Sequence, residues 1–481
     1  MTVTLNSRAD FTLQNCKRVA WGRENVAIGS VAQQAIAAAR TAFMQLIDRP
    51  DVTIYGVNTG YGGRAKLRLD AEGRRAQARQ PTHHRAASWG DALPDRVTRG
   101  IVFARLANFI EGHGAVSPAV AQAVVDMLSG PSMPYVPARG QGGAGEILSL
   151  SHLFLDASNT WPLAEKDMLA LVNGSPAASA LIADAALSTE LRLLLAVEVF
   201  ALAAEAFNTP LGHFAEELEN CWNNPHDAWA LRHLRELMRC GSEPRRAYQA
   251  PVSIRILPRI LGQAHRAWQT AQVVAEQSLA AVSDNPVVFP PGQQLGSDPV
   301  VSTGGYHNMQ AAAALDGLVC AHANLAVLAG RIAAKLLDGN VSLLPPYLGY
   351  ENGQSYLGCL PMAIVGYEEE LRMLAMPTLL PGSESGGFGQ DDVASPVFLA
   401  WQKCDRSSVL LEQCLASLAP VAVRALNVTG RSVPGKLRTL AEETIANFPD
   451  DATDRAMGFD IARLAMSFRE RIYGGEMINP H

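Results

Sequence analysis

Two glycine-rich segments carry the side chains whose types and spacing best suit chemistry. The first, residues 54–63, reads Ile-Tyr-Gly-Val-Asn-Thr-Gly-Tyr-Gly-Gly, and its four glycines predict a loop. Tyr55 and Tyr61 lie in it. A tyrosine can act as an acid or a base where its surroundings shift a pKa of about 10. Simple packing of the rings against the fold is the alternative, for one of the two in particular.

The second segment, residues 138–147, reads Ala-Arg-Gly-Gln-Gly-Gly-Ala-Gly-Glu-Ile. Glycines let backbone approach backbone or ligand closely, and such a loop can hold an anion where it opens a helix. A phosphate loop is not predicted, because no Gly-Lys-Ser/Thr follows. A dinucleotide site is not predicted either, because no strand–helix–strand alternation surrounds the segment. Taken alone, the segment indicates a tight turn.

Two groups of cations are candidates for binding an anion. Arg255 interrupts the apolar run 248–262, and a buried guanidinium needs a partner because it cannot be neutralised. That partner is either an acidic residue or a substrate carboxylate, and the sequence leaves both open. The second group of cations lies on either a solvated face or an anion-facing patch. Its two adjacent histidines do not predict a metal site, because neighbouring residues on a helix point in different directions. It comprises Arg74, Arg75, Arg79, His83, His84 and Arg85.

Helices are the elements predicted to position these residues. Long apolar patterns predict helices over 177–207, 263–282, 309–338 and 398–426. The third of these helices, over 309–338, is long, since an α-helix rises ~1.5 Å per residue. Because it is apolar nearly all round, it must be surrounded by other helices. Shorter helices are predicted over 31–46, 97–112, 118–128, 165–173, 228–240 and 362–374. No strand series is predicted, so the fold class is all-α, with a long central bundle and a loop-rich N-terminal part.

Three parts are predicted along the chain. Residues 1–190 form the loop-rich part with both glycine-rich segments, 191–435 the central bundle, and 436–481 a helical cap. Because the predicted bundle is so apolar, we hypothesise that the protein completes its core by oligomerising.

Composition excludes several classes of protein. The net charge of −6 over 481 residues argues against a nucleic-acid binder. Residues 1–10 carry no apolar signal core, and the apolar run 191–207 contains three charges, so neither secretion nor a membrane span is predicted. Seven cysteines and eleven histidines show no metal-ligand spacing. A cytoplasmic protein without a metal or nucleotide cofactor is predicted.

Six segments, in this order, resemble the aromatic amino acid ammonia-lyase family. The family includes the histidine, phenylalanine and tyrosine lyases and related aminomutases. The segments are Tyr55–Gly62, Gly140–His152, Leu171–Gly174, Gln249–Arg255, Asp284–Pro286 with Gly304–His307, and Gln390–Ser395. They span nearly the whole chain, and Tyr-Gly-Val-Asn-Thr-Gly-Tyr-Gly is the most specific. The resemblance implies the family's all-α fold and a homotetramer.

The family's electrophile, a methylidene-imidazolone, forms from an Ala-Ser-Gly triplet that cyclises and loses water. The serine is required because its hydroxyl is eliminated. The corresponding triplet here is Gly143-Ala144-Gly145. Ala144 has no leaving group, so this prosthetic group is not expected and no cofactor is predicted.

Other departures accompany Ala144. The family's Gln-Asp-x-Tyr-Ser-Leu-Arg pattern meets Gln249–Arg255, where Val252 replaces the Tyr and Ala250 the Asp. Gly305 replaces the Asn of a Gly-Gly-Asn-Phe-His run. A deliberate Ser→Ala substitution would explain Ala144 alone, so natural divergence is the better interpretation.

The resemblance also implies roles for residues that remain. Tyr55 matches the general base, and Arg255 matches the group that pairs the substrate carboxylate. Asn173 and Tyr306 match residues that line the site, although packing explains them nearly as well. Arg85 falls where the family sets selectivity, and a cation there suggests an acidic or strongly polar substrate end.

The last segment holds one more selectivity position. It places Asp391 where histidine-specific members carry Glu and phenylalanine-specific members carry Gln. A slip of one residue would place Gln390 there instead.

Three functions follow from these residues. The first is a lyase-like enzyme that acts on a small carboxylate without the electrophile. Its substrate needs a better leaving group or an acidified C–H. A quaternary ammonium, which departs as a tertiary amine, meets that need, and Asp391 could face that cation. Ergothionase, which releases trimethylamine from a betaine, is similar; addition, isomerisation or cyclisation would also fit. The alternatives are a non-catalytic binding or scaffold protein and an orthodox ammonia-lyase.

Overall fold

A computed structural model gives the fold of this chain. It describes residues 1–60, 64, 66–80, 83–290, 292–293, 298–349, 357–382, 389, 391–451, 453 and 455–474. Helices dominate these residues, which confirms the predicted all-α class. The strands are short: β1 (Thr2–Leu5) pairs in parallel with β2 (Asn25–Ile28), and β3 (Val287–Val288) pairs antiparallel with β4 (Val300–Val301).

The helices of the first half are mostly short. They are α1 (Leu13–Cys16), α2 (Ser30–Ile47), α3 (Ala71–Ala78), α4 (Asp95–Leu106), α5 (Pro118–Met127), α6 (Ile147–Leu153), α7 (Ala157–Thr160), α8 (Asp167–Val172), α9 (Pro176–Ala206), α10 (Glu217–Trp222) and α11 (Pro225–Met238). Those of the second half include the other long ones. They are α12 (Val252–Arg255), α13 (Leu257–Leu279), α14 (Met309–Leu337), α15 (Gly339–Ser342), α16 (Leu360–Leu374), α17 (Val397–Thr429), α18 (Arg438–Asn447) and α19 (Met457–Tyr473).

The long helices confirm the periodic patterns. Helices α9, α14 and α17 run for 31, 29 and 33 residues, close to the predicted bounds. Local signals explain where they begin: Pro176 occupies the first turn of α9, and the Asn308 side chain accepts a hydrogen bond from the Ala311 N–H at the start of α14. Both α14 and α17 are apolar enough to cross a membrane. Their most apolar windows are 67% and 83% buried inside the protein, as in the core helices of globular folds.

The chain divides into two compact units. Unit 1 comprises residues 1–187, 271–315 and 378–402, and unit 2 comprises 188–270, 316–377 and 403–481. The chain therefore returns twice to each unit. The sequence-based division at 190 and 435 stays a prediction.

Each unit has its own buried interior. In unit 1 a buried apolar cluster includes Phe43, Ile47, Ile54, Val57 and Val288, and Ile54 and Val57 lie on either side of Tyr55 in the sequence. In unit 2 the fully buried Arg192 donates to Glu412 over 2.6 Å and to the Tyr473 hydroxyl over 2.7 Å. These two acceptors compensate the guanidinium for the loss of water.

Candidate functional site

The segment that carries Tyr55, residues 54–60, is here named the tyrosine segment. The Asn58 side-chain amide fixes the start of this segment with two hydrogen bonds. Its oxygen accepts from the Ile54 N–H at 2.7 Å, and its nitrogen donates to the Val52 carbonyl at 2.9 Å. Gly56 has φ +68°, and a Cβ there would lie 3.0 Å from a Leu169 methyl group. Glycine is thus required both by the backbone conformation and by the close approach of α8.

Helix α3 fixes the same segment from outside. The Gln77 amide nitrogen donates to the Gly56 carbonyl at 2.9 Å and to the Thr59 carbonyl at 3.1 Å. Tyr55 is half-buried between these anchored positions. Its backbone is therefore fixed while part of its side chain stays accessible, as a proton-transferring group requires. Tyr61 lies outside the described residues.

A small cavity of about 20 Å³ opens beside the tyrosine segment. Cationic and amide side chains form much of its wall. Its polar lining comprises Arg74, Gln77, Gln80, Arg85, Glu165 and Lys166. We name it the cation-lined cavity. Arg85 lines the same cavity as Gly56 and Val57, the two residues that follow Tyr55. The resemblance implies that Arg85 sets substrate selectivity.

Residues 143–146, here named the alanine segment, meet two other predicted elements. The Gly143 carbonyl accepts a hydrogen bond from the Ser395 N–H at 2.9 Å. A Cβ on Gly145 would lie 3.5 Å from the Tyr306 ring, so Tyr306 packs directly against the segment. Asp391, four residues before Ser395, is half-buried, whereas Gln390 lies outside the described residues.

Glu146 anchors the alanine segment on the long helix α9. Its two carboxylate oxygens accept the N–H groups of Ala177 and Ala178, both at 2.6 Å, in the first turn of that helix. Burial raises the pKa of Glu146 to about 8, although the two N–H groups and the Arg105 charge act in the opposite direction. The sequence analysis assigned Glu146 no role.

Arg105 lies fully buried between this carboxylate and Asn173. Its Nη1 donates to the Asn173 carbonyl, while Nε and Nη2 have no acceptor among the described residues. Burial lowers the pKa of Arg105, and the charges of Asp284 and Glu146 oppose that shift. Asn173 in turn donates from its side chain to the Asn285 carbonyl at 2.7 Å. Asn173 therefore joins the end of α8 to the turn at 284–286.

A fully buried ion pair completes this region. Lys166 Nζ lies 2.6 Å from Asp284 Oδ2, and both side chains are fully buried. Asn108 Oδ1 accepts the N–H groups of Ser283 and Asp284 and so fixes the turn that carries the carboxylate. Arg105, Glu146, Lys166 and Asp284 are named here the buried charge group. The sequence analysis found the turn at 284–286 but not the pairing.

Arg255 belongs to unit 2, at the end of the single turn α12. It is half-buried, which corrects the expectation of a buried guanidinium; Ile254 beside it is the buried residue. Its Nε donates to the Ala250 carbonyl at 3.0 Å. Within the described part of the chain, no carboxylate forms an ion pair with it. Of the two partners left open, the acidic residue is therefore absent there.

His213 accompanies Arg255 in unit 2. Its Nε2 accepts the Ala250 N–H at 3.1 Å. Burial and the neighbouring Arg255 charge lower the pKa of His213, so its imidazole is neutral near pH 7. Val252, which the resemblance aligns with a tyrosine of the family, is 57% exposed and has no polar side-chain atom.

The residues of the alanine segment do not fit the family's prosthetic group. The Ala144 side chain is a methyl group, and no hydroxyl is present to be eliminated in forming a methylidene carbon. A metal centre has no evident ligands, because no group of three His, Cys, Asp or Glu in the described ranges could hold an ion.

The sequence comparisons agree over most of the chain. The family model described as aromatic amino acid lyase matches residues 11–158 and 156–447. A histidine ammonia-lyase of Streptomyces coelicolor is 28% identical over 489 residues, covering 94% of this chain and 93% of the relative. Another, of Streptomyces avermitilis, is 30% identical over 420 residues, 80% of each chain.

Solved structures share the fold. Ergothionase from Treponema denticola, in complex with desmethyl-ergothioneine sulfonic acid, superposes with a TM-score of 0.89 at 19% identity, over 98% of this chain and 99% of that one. Histidine ammonia-lyase from Trypanosoma cruzi gives 0.85 at 20% identity, over 99% and 95%. The long helices, the order of the motifs and these matches lead to one conclusion: the chain belongs to the aromatic amino acid lyase family.

Proposed function

We propose that this protein is a lyase-like enzyme that acts on a small carboxylate, amino-acid or betaine substrate without the family's electrophile. Tyr55 transfers the proton. The observation that carries the proposal is the contrast between two positions: Tyr55 is half-buried on a backbone fixed by Asn58 and Gln77, whereas Ala144 has no hydroxyl. This contrast supports proton transfer by Tyr55 without an electrophile formed from Ala144.

Without the electrophile, the leaving group must depart unaided. In the elimination proposed, the Tyr55 side-chain oxygen acts as the base and removes a proton from the carbon next to the one that bears nitrogen. The C–H electron pair forms the carbon–carbon double bond. The C–N pair leaves with the nitrogen, and a quaternary ammonium departs as a neutral tertiary amine. Proton addition, isomerisation and cyclisation use the same transfer.

The remaining site residues take binding roles in this proposal. Arg255 pairs the substrate carboxylate; its half-buried guanidinium and the absence of an acidic partner in the described chain support that role. Asn173 and Tyr306 line the site, and Asp391 or Gln390 faces the leaving group. Arg85 contacts the far end of the substrate.

A second candidate, an orthodox aromatic amino acid ammonia-lyase, is supported by the similarity to histidine ammonia-lyases along most of the chain. It requires an electrophile from a different source. Intact mass decides this point, because cyclisation and dehydration would leave the protein lighter than its sequence by two waters. A full-length mass equal to the sequence would exclude this candidate.

A third candidate is a non-catalytic binding or scaffold protein, supported by Ala144 and Val252. The test is a deuterium-exchange and turnover screen in heavy water with amino, betaine, hydroxy and unsaturated carboxylic acids. Tyr55→Phe serves as the control. Label or product formed by the unaltered protein alone supports the enzyme. Binding without label from any acid supports the scaffold.

We also propose a homotetramer located in the cytoplasm. Family membership and the apolar surfaces of the long helices support oligomerisation. Light scattering that gives a monomer would contradict it.

A further inference from the structure

The end of helix α4 places two buried polar side chains next to each other. Arg105 lies in the last turn of the helix, and Asn108 follows three residues later. The Asn108 N–H donates to the Arg105 carbonyl at 3.2 Å, so the chain keeps turning beyond the helix. Residues three apart on such a turn lie on the same side, and both side chains therefore reach the same neighbouring segments.

Arg105 holds the main chain of Asn173. Its Nη1 donates to the Asn173 carbonyl, and its guanidinium lies over the Phe109 ring, 5.5 Å from the ring centre. Gly174 leaves space for this approach, because a Cβ there would lie 2.9 Å from Arg105 Nη2, and its φ of +105° suits glycine. The chain that follows α8 is therefore shaped to receive the guanidinium.

Asn108 fixes the segment that meets the Asn173 side chain. Its Oδ1 accepts the N–H groups of Ser283 and Asp284 at 2.7 and 3.0 Å. The next residue of that turn, Asn285, offers the carbonyl to which Asn173 Nδ2 donates at 2.7 Å. A carbonyl only accepts hydrogen bonds, so the amide nitrogen of Asn173 must face it. The direction of the Asn173 amide thus depends on the turn that Asn108 holds.

One helix end therefore holds Asn173 from two sides. Ser175 joins the two segments further, because its N–H donates to Ser283 Oγ at 2.9 Å. Asn173 itself is half-buried, so part of it stays accessible. A side chain that contacts a ligand needs this kind of fixed direction, supplied by neighbours that do not touch the ligand.

Arg99, earlier in α4, shows what a purely structural arginine of this helix looks like. It is 2% exposed and donates to the carbonyls of Val19 and Leu128, neither of which is proposed to line the site. Stability alone does not explain Arg105 in the same way. Its Nε and Nη2 are buried without an acceptor among the described residues, which is unfavourable.

We propose that Arg105 and Asn108 are positioning residues for the reaction and that both act through Asn173. The inference rests on the proposed function, because that function places Asn173 in the wall of the site. Arg105 fixes the main chain of Asn173, and Asn108 fixes the direction of its amide. Neither touches the substrate. Loss of either displaces the same side chain, so their effects on turnover are not independent.

A double-mutant cycle tests this route. Arg105→Met and Asn173→Ala are each expected to lower kcat/KM about ten- to hundred-fold, the range for a misplaced contact, with the acid that reacts fastest in the heavy-water screen. Adding Arg105→Met to Asn173→Ala should cost less than about two-fold more, because the residue through which Arg105 acts is already removed. Losses that multiply would overturn the proposal.

Arg99→Met is the matched control, since it removes an equally buried guanidinium from the same helix. Its effect on kcat/KM should multiply with that of Asn173→Ala. A control that fails to multiply would show a general effect of α4 and contradict the proposal. Arg105→Lys, which keeps a cation near Asp284 and Glu146, should recover part of the turnover. If Arg105→Met does not fold, Asn108→Leu completes the same cycle.

Hydrogen exchange separates this inference from the proposed function. The Ser283 and Asp284 N–H groups bond to Asn108 and not to Arg105. Their exchange is nevertheless expected to be faster in Arg105→Met than in Arg99→Met. If it is, and the unaltered protein turns over no acid, the positioning stands and the catalytic role fails. If acids are turned over but this exchange is the same in both variants, the catalytic role stands and the positioning fails.

Discussion

The two glycine-rich segments of unit 1 are held by different kinds of interaction. The tyrosine segment is fixed by neutral amides, those of Asn58 and Gln77, which bond to its own backbone. The alanine segment ends on Glu146, whose carboxylate lies buried at the start of α9 near Arg105. The first carries Tyr55, which has an ionisable hydroxyl; the second carries Ala144, whose side chain has no hydroxyl.

This difference teaches that anchoring and reactivity are separable in such a loop. Gly143, Gly145 and Glu146 still make contacts with Ser395, Tyr306 and α9 although Ala144 is chemically inert. These contacts stabilise the fold whether or not an electrophile forms. Substitutions in the residues that anchor each segment therefore test two expectations: that the alanine segment serves the stability of the fold, and that the tyrosine segment serves catalysis.

The largest effect is expected from the buried charge group. Lys166→Met would leave the Asp284 carboxylate buried without its cation, at a cost of about 3–5 kcal/mol in the free energy of unfolding. Chemical denaturation followed by circular dichroism measures it. The double variant Lys166→Met, Asp284→Asn should recover much of the loss, since no unpaired charge remains. A single variant as stable as the unaltered protein would contradict the role of the ion pair.

Removing a neutral anchor of the tyrosine segment should lower the free energy of unfolding by less than breaking the buried ion pair does. Asn58→Ala removes the acceptor of the Ile54 N–H and the donor to the Val52 carbonyl, at about 1–3 kcal/mol. Turnover that depends on Tyr55 should fall further than global stability accounts for, because the backbone of Tyr55 loosens. Hydrogen exchange over residues 54–60 reports the local change. Unchanged exchange there would show that Asn58 does not fix the segment.

The pH dependence of stability distinguishes the titratable anchor, Glu146, from the amide anchors of the tyrosine segment. Glu146 has a folded pKa of about 8, above the ordinary value of 4.5, so the folded state binds more protons between these values. Stability from this group is present at low pH and is lost as pH rises through that window, at about 1.4 kcal/mol per pH unit.

Replacing the carboxyl group isolates this contribution. In Glu146→Gln, unfolding measured between pH 5 and pH 9 should lose the Glu146 part of the slope, because an amide does not titrate. Asn58→Ala, the matched change in the tyrosine segment, should leave the slope as it is. Identical pH profiles for Glu146→Gln and the unaltered protein would contradict the raised pKa.

Sequence patterns predicted the helices far better than the pairings within the site. The apolar periodicity of 309–338 and 398–426 matches α14 and α17 closely, because burial of a whole helix leaves a continuous signal. Residue pairs such as Lys166 and Asp284 were missed, because they are 118 residues apart and no local pattern joins them.

Charged residues in apolar runs were the hardest to interpret. Arg105 and Arg255 look alike in sequence, since each interrupts a hydrophobic stretch. Arg105 is fully buried in the middle of unit 1's polar network, whereas Arg255 ends a one-turn helix and is half-buried. Burial of a single charge depends on which elements pack over it, and that is tertiary information.

The smallest effects come from one substitution made in both segments. Gly56→Ala forces an alanine to adopt φ +68° and brings its Cβ to 3.0 Å from Leu169, so a loss of about 1–2 kcal/mol is expected. Gly145→Ala places a Cβ 3.5 Å from the Tyr306 ring, an ordinary contact, and should cost less than ~0.5 kcal/mol. Thermal unfolding compares them. A larger loss at Gly145 would mean that the alanine segment is the more tightly constrained of the two, and that its backbone still serves a purpose beyond anchoring.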